Sequence, residues 1–140
     1  DLGAALVDLD ELFAQSDFIT LHALITDETR GMVNAANIAK MKDGVRIINA
    51  ARGPLINDDD LADALKSGKV AGAAVDVYQE EPPPADHPLI GLDNVVDTPH
   101  LGASTSDAQV AVAVEAAEVI IDTLLKDTPQ NVVNRAVLEK

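Results

Sequence analysis

Three short apolar runs, separated by segments long enough to hold a helix, restrict the fold of this chain more than any other feature. They cover residues 17–22, 45–49 and 70–77, are rich in β-branched residues, and are followed by turn or cap residues. Such runs are typical of strands buried in a parallel sheet. The helical patterns between them have the spacing of right-handed crossovers rather than of hairpins. The sequence therefore predicts an α/β fold with a parallel sheet, to which residues 94–97 add a fourth, less marked strand.

Two shorter helices are predicted between these strands. Asn34 can cap a helix over residues 35–42, with Gly44 beyond its end. Asn57 can cap a second helix whose first turn is acidic, at residues 58–60. We interpret these three carboxylates as a solvated helix start, because consecutive helical positions point in different directions and do not converge on an ion. No metal site is predicted.

The C-terminal part of the sequence predicts a long helix. Ser104 and Asp107 resemble a capping box, and the helical pattern reaches about Leu125. Apolar residues occupy more than one face, which favours a helix packed between two domains or two subunits. The principal stripe consists of Val110, Val114, Ala117, Ile121 and Leu124, and Val112, Val119 and Ile120 lie on other faces.

Composition narrows the classes of partner and compartment. The net charge of −14 disfavours nucleic acid and anionic membranes, so an anionic substrate would need a local cation such as Arg52. The absence of cysteine and of a long apolar run favours a soluble protein of the reducing cytoplasm. We expect 140 residues to form a single domain, and the first residue, Asp1, suggests a fragment.

Polar residues follow the predicted strands, at the sheet edge where open parallel sheets bind ligands. They are Arg52, Asp76, Glu81 and His100. A carboxylate can orient a histidine that moves a proton, and an arginine can grip a carboxylate. Together with a nicotinamide they would suffice to interconvert 2-hydroxy and 2-oxo acids. Taken singly, each also has a structural interpretation, as a surface ion pair, a cap or a solvated loop charge.

Other residues in the loops receive a structural interpretation. The proline-rich residues 80–88 predict a rigid loop, since proline removes donors and restricts its predecessor. His22 is interpreted as a strand-end residue, and His87 as an exposed loop residue.

Three segments resemble signature blocks of the D-2-hydroxyacid dehydrogenases. They are residues 49–53 (NAARG), 72–82 (GAAVDVYQEEP) and 98–105 (TPHLGAST), in the family's order and spacing. The resemblance extends from about residue 2 to residue 134. It implies a partial Rossmann-like parallel sheet with flanking helices, NAD as cofactor, and a small 2-hydroxy or 2-oxo acid as substrate.

The resemblance also implies residue roles. Arg52 would bind the substrate carboxylate and carbonyl, His100 would be the general acid/base, and Glu81 would partner the histidine. Asp76 would contact the nicotinamide carboxamide. The residues expected along the cofactor are Ala23, Ala50, Ala51, Arg52, Asp76, His100, Leu101, Gly102 and Ala103.

Within the family, residues 131–134 most resemble phosphoglycerate dehydrogenases of serine synthesis, with glyoxylate and hydroxypyruvate reductases as close alternatives. Glu81 argues against formate dehydrogenases, which have a different partner for the histidine. Two positions depart from the family pattern. Leu24 stands where a proline is usual, and Asp97 places a charge where an apolar strand residue is usual.

No two glycines are spaced as G-x-G, the pattern of the loop that binds the pyrophosphate. We therefore expect a truncated nucleotide-binding domain that binds NAD weakly or not at all. An inactive folding or interaction module is the alternative. Residues 4–7 are predicted to form an orphan strand beside residues 18–21, giving a flavodoxin-like three-layer arrangement. Otherwise two chains are expected to pair through the sheet edge or the long helix.

Overall fold

The computed structural model describes residues 3–134 and 136 and contains two compact units. We call Asp1–Leu101 the sheet unit and Gly102–Lys140 the helix unit.

The sheet unit is built on four parallel strands. They are β1 (Phe18–Leu21), β2 (Val45–Asn49), β3 (Val70–Val75) and β4 (Val95–Asp97), in the order β1-β2-β3-β4. Register places Ile47 of β2 opposite Ile19 of β1 and Ala73 of β3. All four predicted runs form strands, so the predicted α/β, Rossmann-like architecture is confirmed.

Helix α1 (Leu9–Gln15) precedes β1, α2 (Ala35–Lys40) connects β1 to β2, and α3 (Asp58–Ser67) connects β2 to β3 after a 3-10 turn at Gly53–Leu55. The two predicted caps are confirmed. Asn34 accepts a hydrogen bond from the Asn37 backbone N–H at 3.0 Å, and Asn57 accepts one from that of Asp60 at 3.2 Å. Helix α1 is not among the predicted helices.

The core lies on one face of the sheet. Burial alternates along β1 and β2, so Ile19, Leu21 and Ile47 are buried beneath the helices. On the opposite face Phe18 is 64% exposed, and the Arg46 guanidinium lies over its ring. The expectation of strands buried throughout is therefore wrong, because in the described part of the chain helices bury only one side of these apolar runs. The largest fully buried side chains are Phe13, Ile47, Leu55, Leu61, Leu89, Val33, Val45, Val70 and Asn49.

The predicted orphan strand is also wrong. Residues 4–7 have no regular structure, Leu6 is fully exposed, and the sheet ends at β1. Gly3 precedes them in a left-handed conformation, which directs the chain out of an extended path. Because no side chain of residues 4–7 is buried, nothing offsets the entropy of ordering them as a strand. The flavodoxin-like rearrangement is thus not formed within the chain, and pairing between chains stays a prediction.

The helix unit contains α4 (Ser106–Lys126), which matches the predicted long helix. Its cap is Thr105, whose hydroxyl accepts a hydrogen bond from the Ala108 N–H at 3.1 Å, and not Ser104 as predicted. None of its residues is buried within the described structure, so packing against a second body stays a prediction. Among the described residues, no helix is long and apolar enough to cross a membrane.

Candidate active site

Three neighbouring strands end at the same edge of the sheet, and the segments that follow them form the candidate site. The strands β2, β3 and β4 end at Asn49, Val75 and Asp97, respectively. Parallel neighbours direct their carboxyl ends to one edge, where ligands of open α/β sheets bind. The sequence-predicted residues Arg52, Asp76, Glu81 and His100 all follow these ends.

Glu81 and His100 form a hydrogen-bonded pair. The Nδ1 atom of His100 lies 2.7 Å from Oε2 of Glu81, and the Tyr78 backbone N–H donates to Oε1 at 3.0 Å. The His100 bond, and then the Tyr78 bond, hold the pKa of the Glu81 carboxyl below its usual value of 4.5. A carboxylate at this position favours the imidazole tautomer that carries a proton on Nδ1. Such a pair can act as a base and its orienting group.

His100 has an unusual backbone conformation. Its φ of 55° lies in the left-handed region, which costs a non-glycine residue on the order of 1 kcal/mol. The next residue is anchored, because the Leu101 N–H donates to Oδ1 of Asp76 at 2.9 Å. This unfavourable conformation, with the next residue held by Asp76, lies directly after the end of β4. Strained positions of this kind cluster at functional sites.

Asp76 connects the ends of β3 and β4. Besides the Leu101 N–H, its Oδ1 atom accepts a hydrogen bond from the Thr98 hydroxyl at 2.5 Å. Its own N–H donates to the Asn49 carbonyl at 2.9 Å. Thr98 is not among the sequence-predicted site residues, although a hydroxyl directly after a strand end could have indicated it.

A groove of about 110 Å³ lies beside Asp76 at this edge. Small side chains at Ala50 and Ala74 leave it open, and the carboxylate of Asp76 is one of its polar groups. A ring bearing a carboxamide requires a small recess with a hydrogen-bond acceptor near it, and this groove is a small recess that a carboxylate-bearing residue, Asp76, lines. The residues therefore fit the nicotinamide end of a dinucleotide. The lining residues are Ile48, Asn49, Ala50, Ala74, Val75, Asp76, Val96 and Thr98.

The turn after β2 is held by a buried amide. Asn49 is 1% exposed, donates to the Arg52 carbonyl at 2.9 Å, and accepts from the Ala51 N–H at 3.1 Å. The exposed Arg52 guanidinium donates to the Ala51 carbonyl at 2.6 Å. Arg52 is thus fixed by a different set of contacts from the Glu81–His100 pair. Asn49 is not among the sequence-predicted site residues, although it is a polar residue at the end of an apolar run and begins the 49–53 block.

Of the remaining residues expected along the cofactor, Ala23, Ala51 and Leu101 come after the ends of β1, β2 and β4. Ala23 and Ala51 are partly buried against the core, and Leu101 is 49% exposed. Gly102 and Ala103 belong to the helix unit, where the Ala103 carbonyl accepts a hydrogen bond from the Gln109 amide at 2.7 Å.

A second cavity, of about 330 Å³, adjoins the Glu81–His100 pair. Asp97, one of the two departures from the family pattern, contributes to its wall and is exposed, so its charge is not buried in the sheet. Burial, followed by the negative charges of Asp97, Asp58 and Asp76, raises the pKa of Tyr78. The lining residues are Tyr78, Glu81, Pro82, Pro83, Ile90, Asp97, Thr98, Pro99 and His100, and the Glu81–Pro82 peptide is cis.

His87 is not the exposed loop residue that the sequence suggested. Its side chain is 8% exposed, its Nε2 atom lies 3.2 Å from Oδ2 of Asp58, and its ring meets Tyr78 edge-on. Asp58 is likewise only 14% exposed rather than solvated.

The other two carboxylates in the first turn of α3 do not share this burial and pairing with His87. Asp59 is exposed, and Asp60 accepts a hydrogen bond from the Ala35 N–H at 2.8 Å. Within residues 3–134 and 136, no group of three potential ligands could hold a metal ion.

Comparisons with known proteins find similar sequences within one family. Residues 1–102 match the family model described as D-isomer specific 2-hydroxyacid dehydrogenase, NAD binding domain. A D-3-phosphoglycerate dehydrogenase from Archaeoglobus fulgidus is 49% identical over 99% of the chain, which spans 26% of that protein. A hydroxypyruvate reductase from Thermotoga maritima is 50% identical over 89% of the chain and 41% of its own length.

A solved structure has a similar backbone. The NAD-dependent formate dehydrogenase from Staphylococcus aureus, in complex with NAD, superposes with a TM-score of 0.82 at 33% identity. The match covers 89% of this chain and 38% of that one. The chain therefore spans between about a quarter and two-fifths of the length of the proteins it resembles here.

Proposed function

Because the chain belongs to the D-isomer specific 2-hydroxyacid dehydrogenases through their NAD-binding domain, we propose that it is part of an NAD-dependent oxidoreductase acting on D-2-hydroxy acids. The observation that carries the proposal is the hydrogen bond between His100 and Glu81 at the ligand-binding edge of the sheet. A histidine oriented in this way can accept the proton that a CH–OH group loses on oxidation.

In this proposal His100 is the general acid/base. Since Nδ1 donates to Glu81, Nε2 is the atom that takes the hydroxyl proton of the 2-hydroxy acid. The carboxylate of Glu81 stabilises the resulting imidazolium. NAD, when bound, would supply the hydride acceptor for this oxidation, in which C2 of the substrate loses a hydride and becomes a carbonyl carbon. In the reverse direction His100 returns the proton to that oxygen.

Arg52 is the proposed substrate clamp. A guanidinium can bind a carboxylate through two parallel hydrogen bonds, and Arg52 is exposed at the end of β2 with its backbone fixed by Asn49. A cation here also draws an anionic substrate to a chain of net charge −14.

The proposed cofactor contacts are at the same edge. Asp76 would accept a hydrogen bond from the nicotinamide carboxamide, and the groove beside Ala50, which Asp76 also lines, would hold the ring. Ala23, Ala51, Arg52, His100, Leu101, Gly102 and Ala103 complete the proposed set of residues along the cofactor.

For the substrate we propose 3-phosphoglycerate first, with hydroxypyruvate and glyoxylate as the competing 2-oxo acids. The similarity to D-3-phosphoglycerate dehydrogenases extends over most of the chain, and reductases match it about equally well. We further propose a cytoplasmic protein that pairs as a homodimer through the edge of β1 or through α4. The edge strand and the exposed apolar residues of α4 support this pairing.

Titration of the 140-residue chain with nicotinamide mononucleotide, NAD and AMP, followed by NMR, tests the proposed cofactor site. We expect millimolar binding of the first two, with the resonances of Asp76 and Gly102 shifted and smaller changes with AMP. A folded spectrum that responds to none of the three would overturn the cofactor assignment and favour an inactive folding or interaction module.

Co-expression with the preceding segment of the Archaeoglobus fulgidus relative tests the activity. Turnover of 3-phosphoglycerate, hydroxypyruvate or glyoxylate identifies the substrate. The Arg52→Gln variant should raise KM on the order of 100-fold, and Arg30→Gln, which removes an exposed cation elsewhere, should not. A soluble complex that oxidises or reduces none of these acids would contradict the proposed reaction.

A further inference from the structure

A second histidine–carboxylate pair lies outside the proposed reaction. It joins His87, at the end of the proline-rich loop, to Asp58, in the first turn of α3. The two residues are 29 positions apart, and both side chains are at least about five-sixths buried. A buried charged group is costly unless it is paired and hydrogen-bonded, so an arrangement of this kind requires an explanation.

The same oxygen of Asp58 binds both ends of the loop. Oδ2 accepts a hydrogen bond from the Gln79 amide at 3.0 Å and lies 3.2 Å from Nε2 of His87. On the other side of the imidazole, Nδ1 accepts a long hydrogen bond of 3.4 Å from the Leu89 N–H. An accepting Nδ1 places the proton on Nε2, so His87 donates to Asp58. One carboxylate oxygen therefore closes the 79–87 loop at its base.

Between these two anchors the loop is mostly exposed. Residues 80–82 and 84–86 are exposed, and Glu81 is among them. Tyr78, which precedes the loop, is buried, meets the His87 ring edge-on at 5.1 Å between centroids, and donates its N–H to Glu81. The position of Glu81 thus depends on the segment that Asp58 fastens.

We propose that Asp58 is a positioning residue of the candidate active site, which fastens Gln79 and His87 and so holds Glu81 against His100. This role rests on the proposed function, since it matters for catalysis only if the Glu81–His100 pair transfers a proton. Asp58 itself lies on α3 and acts through the loop rather than on the reactants.

The α3 first turn supplies a matched control. Asp59 carries the same charge on the same turn but is exposed, whereas Asp58 is 14% exposed and bonded. Asp58→Ala and Asp59→Ala therefore change the net charge equally. Only Asp58→Ala releases the loop.

The test is an NMR titration of the 140-residue chain, with no cofactor or substrate present. The carboxyl carbon of Glu81 reports its pKa, and the imidazole nitrogens of His100 report the hydrogen bond. In Asp58→Ala we expect the pKa of Glu81 to rise towards its ordinary value of 4.5, because its bonds to His100 and Tyr78 are less often formed. The His100 Nδ1 resonance should move at the same time. Asp59→Ala should leave both signals at their original positions.

The isosteric Asp58→Asn variant covers the case in which Asp58→Ala does not fold. Its amide keeps the volume and an acceptor oxygen but removes the negative charge that strengthens the bonds from Gln79 and His87, so a smaller change in the same direction is expected. If a folded Asp58 variant keeps the original Glu81 titration and His100 resonance, the positioning role is wrong. Because the titration needs no NAD, its outcome is separate from that of the cofactor and turnover experiments.

Discussion

Oε2 of Glu81 and Nδ1 of His100 lie 2.7 Å apart, although 19 positions separate the two residues in the chain. The sheet topology brings the two side chains together, because Glu81 comes after β3 and His100 after β4, and these strands are parallel neighbours. The side chains are 38% and 50% exposed, so solvent screens the pair. We therefore expect the bond to orient the imidazole more than it stabilises the fold.

The contribution of Glu81 to stability should depend on pH in a defined direction. Hydrogen bonds from His100 and Tyr78 lower the pKa of Glu81 in the folded state, so folding favours its charged form. Its contribution is then complete above the ordinary value of 4.5 and is lost as the pH falls through the lowered folded value. The Tm difference between the original chain and Glu81→Gln should be largest above pH 4.5 and should disappear below the lowered pKa of the folded state.

Thermal unfolding at a series of pH values measures this difference. Glu80→Gln is the control, since Glu80 is the exposed neighbour with the same charge. A gap between the original chain and Glu81→Gln that stays constant across the acid range would contradict the linkage.

The strands and the Glu81–His100 pair could be predicted from sequence, because they depend on local patterns and on motif order. The 45–49 run, for example, forms β2 over the same residues. The burial of His87 could not be predicted, since it depends on contacts with Asp58, distant in sequence, and with the Tyr78 ring. The same holds for Thr98 and Asn49, whose hydrogen bonds become visible only when neighbouring strand ends are placed together.

Residues 4–7 show the opposite error. Their apolar composition suggested a strand, but a strand also needs a partner that buries one of its faces, and composition carries no information on whether that partner is present. The wrong prediction that the outer face of the sheet is buried has the same cause. Continuous apolar runs indicate two buried faces, yet in the described residues Phe18 and Val96 remain exposed.

Gly53 should be the glycine least tolerant of substitution. A Cβ atom at this position would clash with the backbone of Tyr78 and Gln79, immediately before the loop that carries Glu81. Backbone cannot rotate away as a side chain does, so Gly53→Ala should lower the free energy of unfolding by about 2–4 kcal/mol. Urea denaturation measures this loss.

Gly102→Ala provides the comparison for stability. A Cβ on Gly102 would meet no atom within 4 Å, so the expected change is within about 0.5 kcal/mol. Equal losses in the two variants would show that the close approach at Gly53 does not determine the stability of this region.

Lys69 should stabilise the end of α2 more than an ordinary surface lysine does. Its ammonium donates to the carbonyl of Met41, the C-cap residue of α2, at 2.6 Å and to Asp43 at 2.7 Å. A cation at a helix C-terminus satisfies an otherwise unpaired carbonyl and opposes the negative end of the helix dipole. Loss of the Met41 bond in Lys69→Met, which keeps the apolar stem, should cost about 1 kcal/mol in urea denaturation.

Lys42→Met tests whether the stability lost in Lys69→Met comes from the contact with the end of α2 or from a surface ion pair alone. The Lys42 ammonium bonds to Asp17 at 3.0 Å, with the two side chains 43% and 78% exposed, so its loss should cost less than about 0.5 kcal/mol.

The effect of Lys69 should also depend on pH, because Lys69 lowers the pKa of Asp43 through their hydrogen bond and then through its charge. That part of the effect is present at neutral pH and is lost as the pH falls through the lowered folded value. The Lys69→Met loss should therefore shrink in acid without vanishing, since the bond to the Met41 carbonyl does not titrate there. A loss equal to that of Lys42→Met at neutral pH would show that the carbonyl contact contributes nothing measurable.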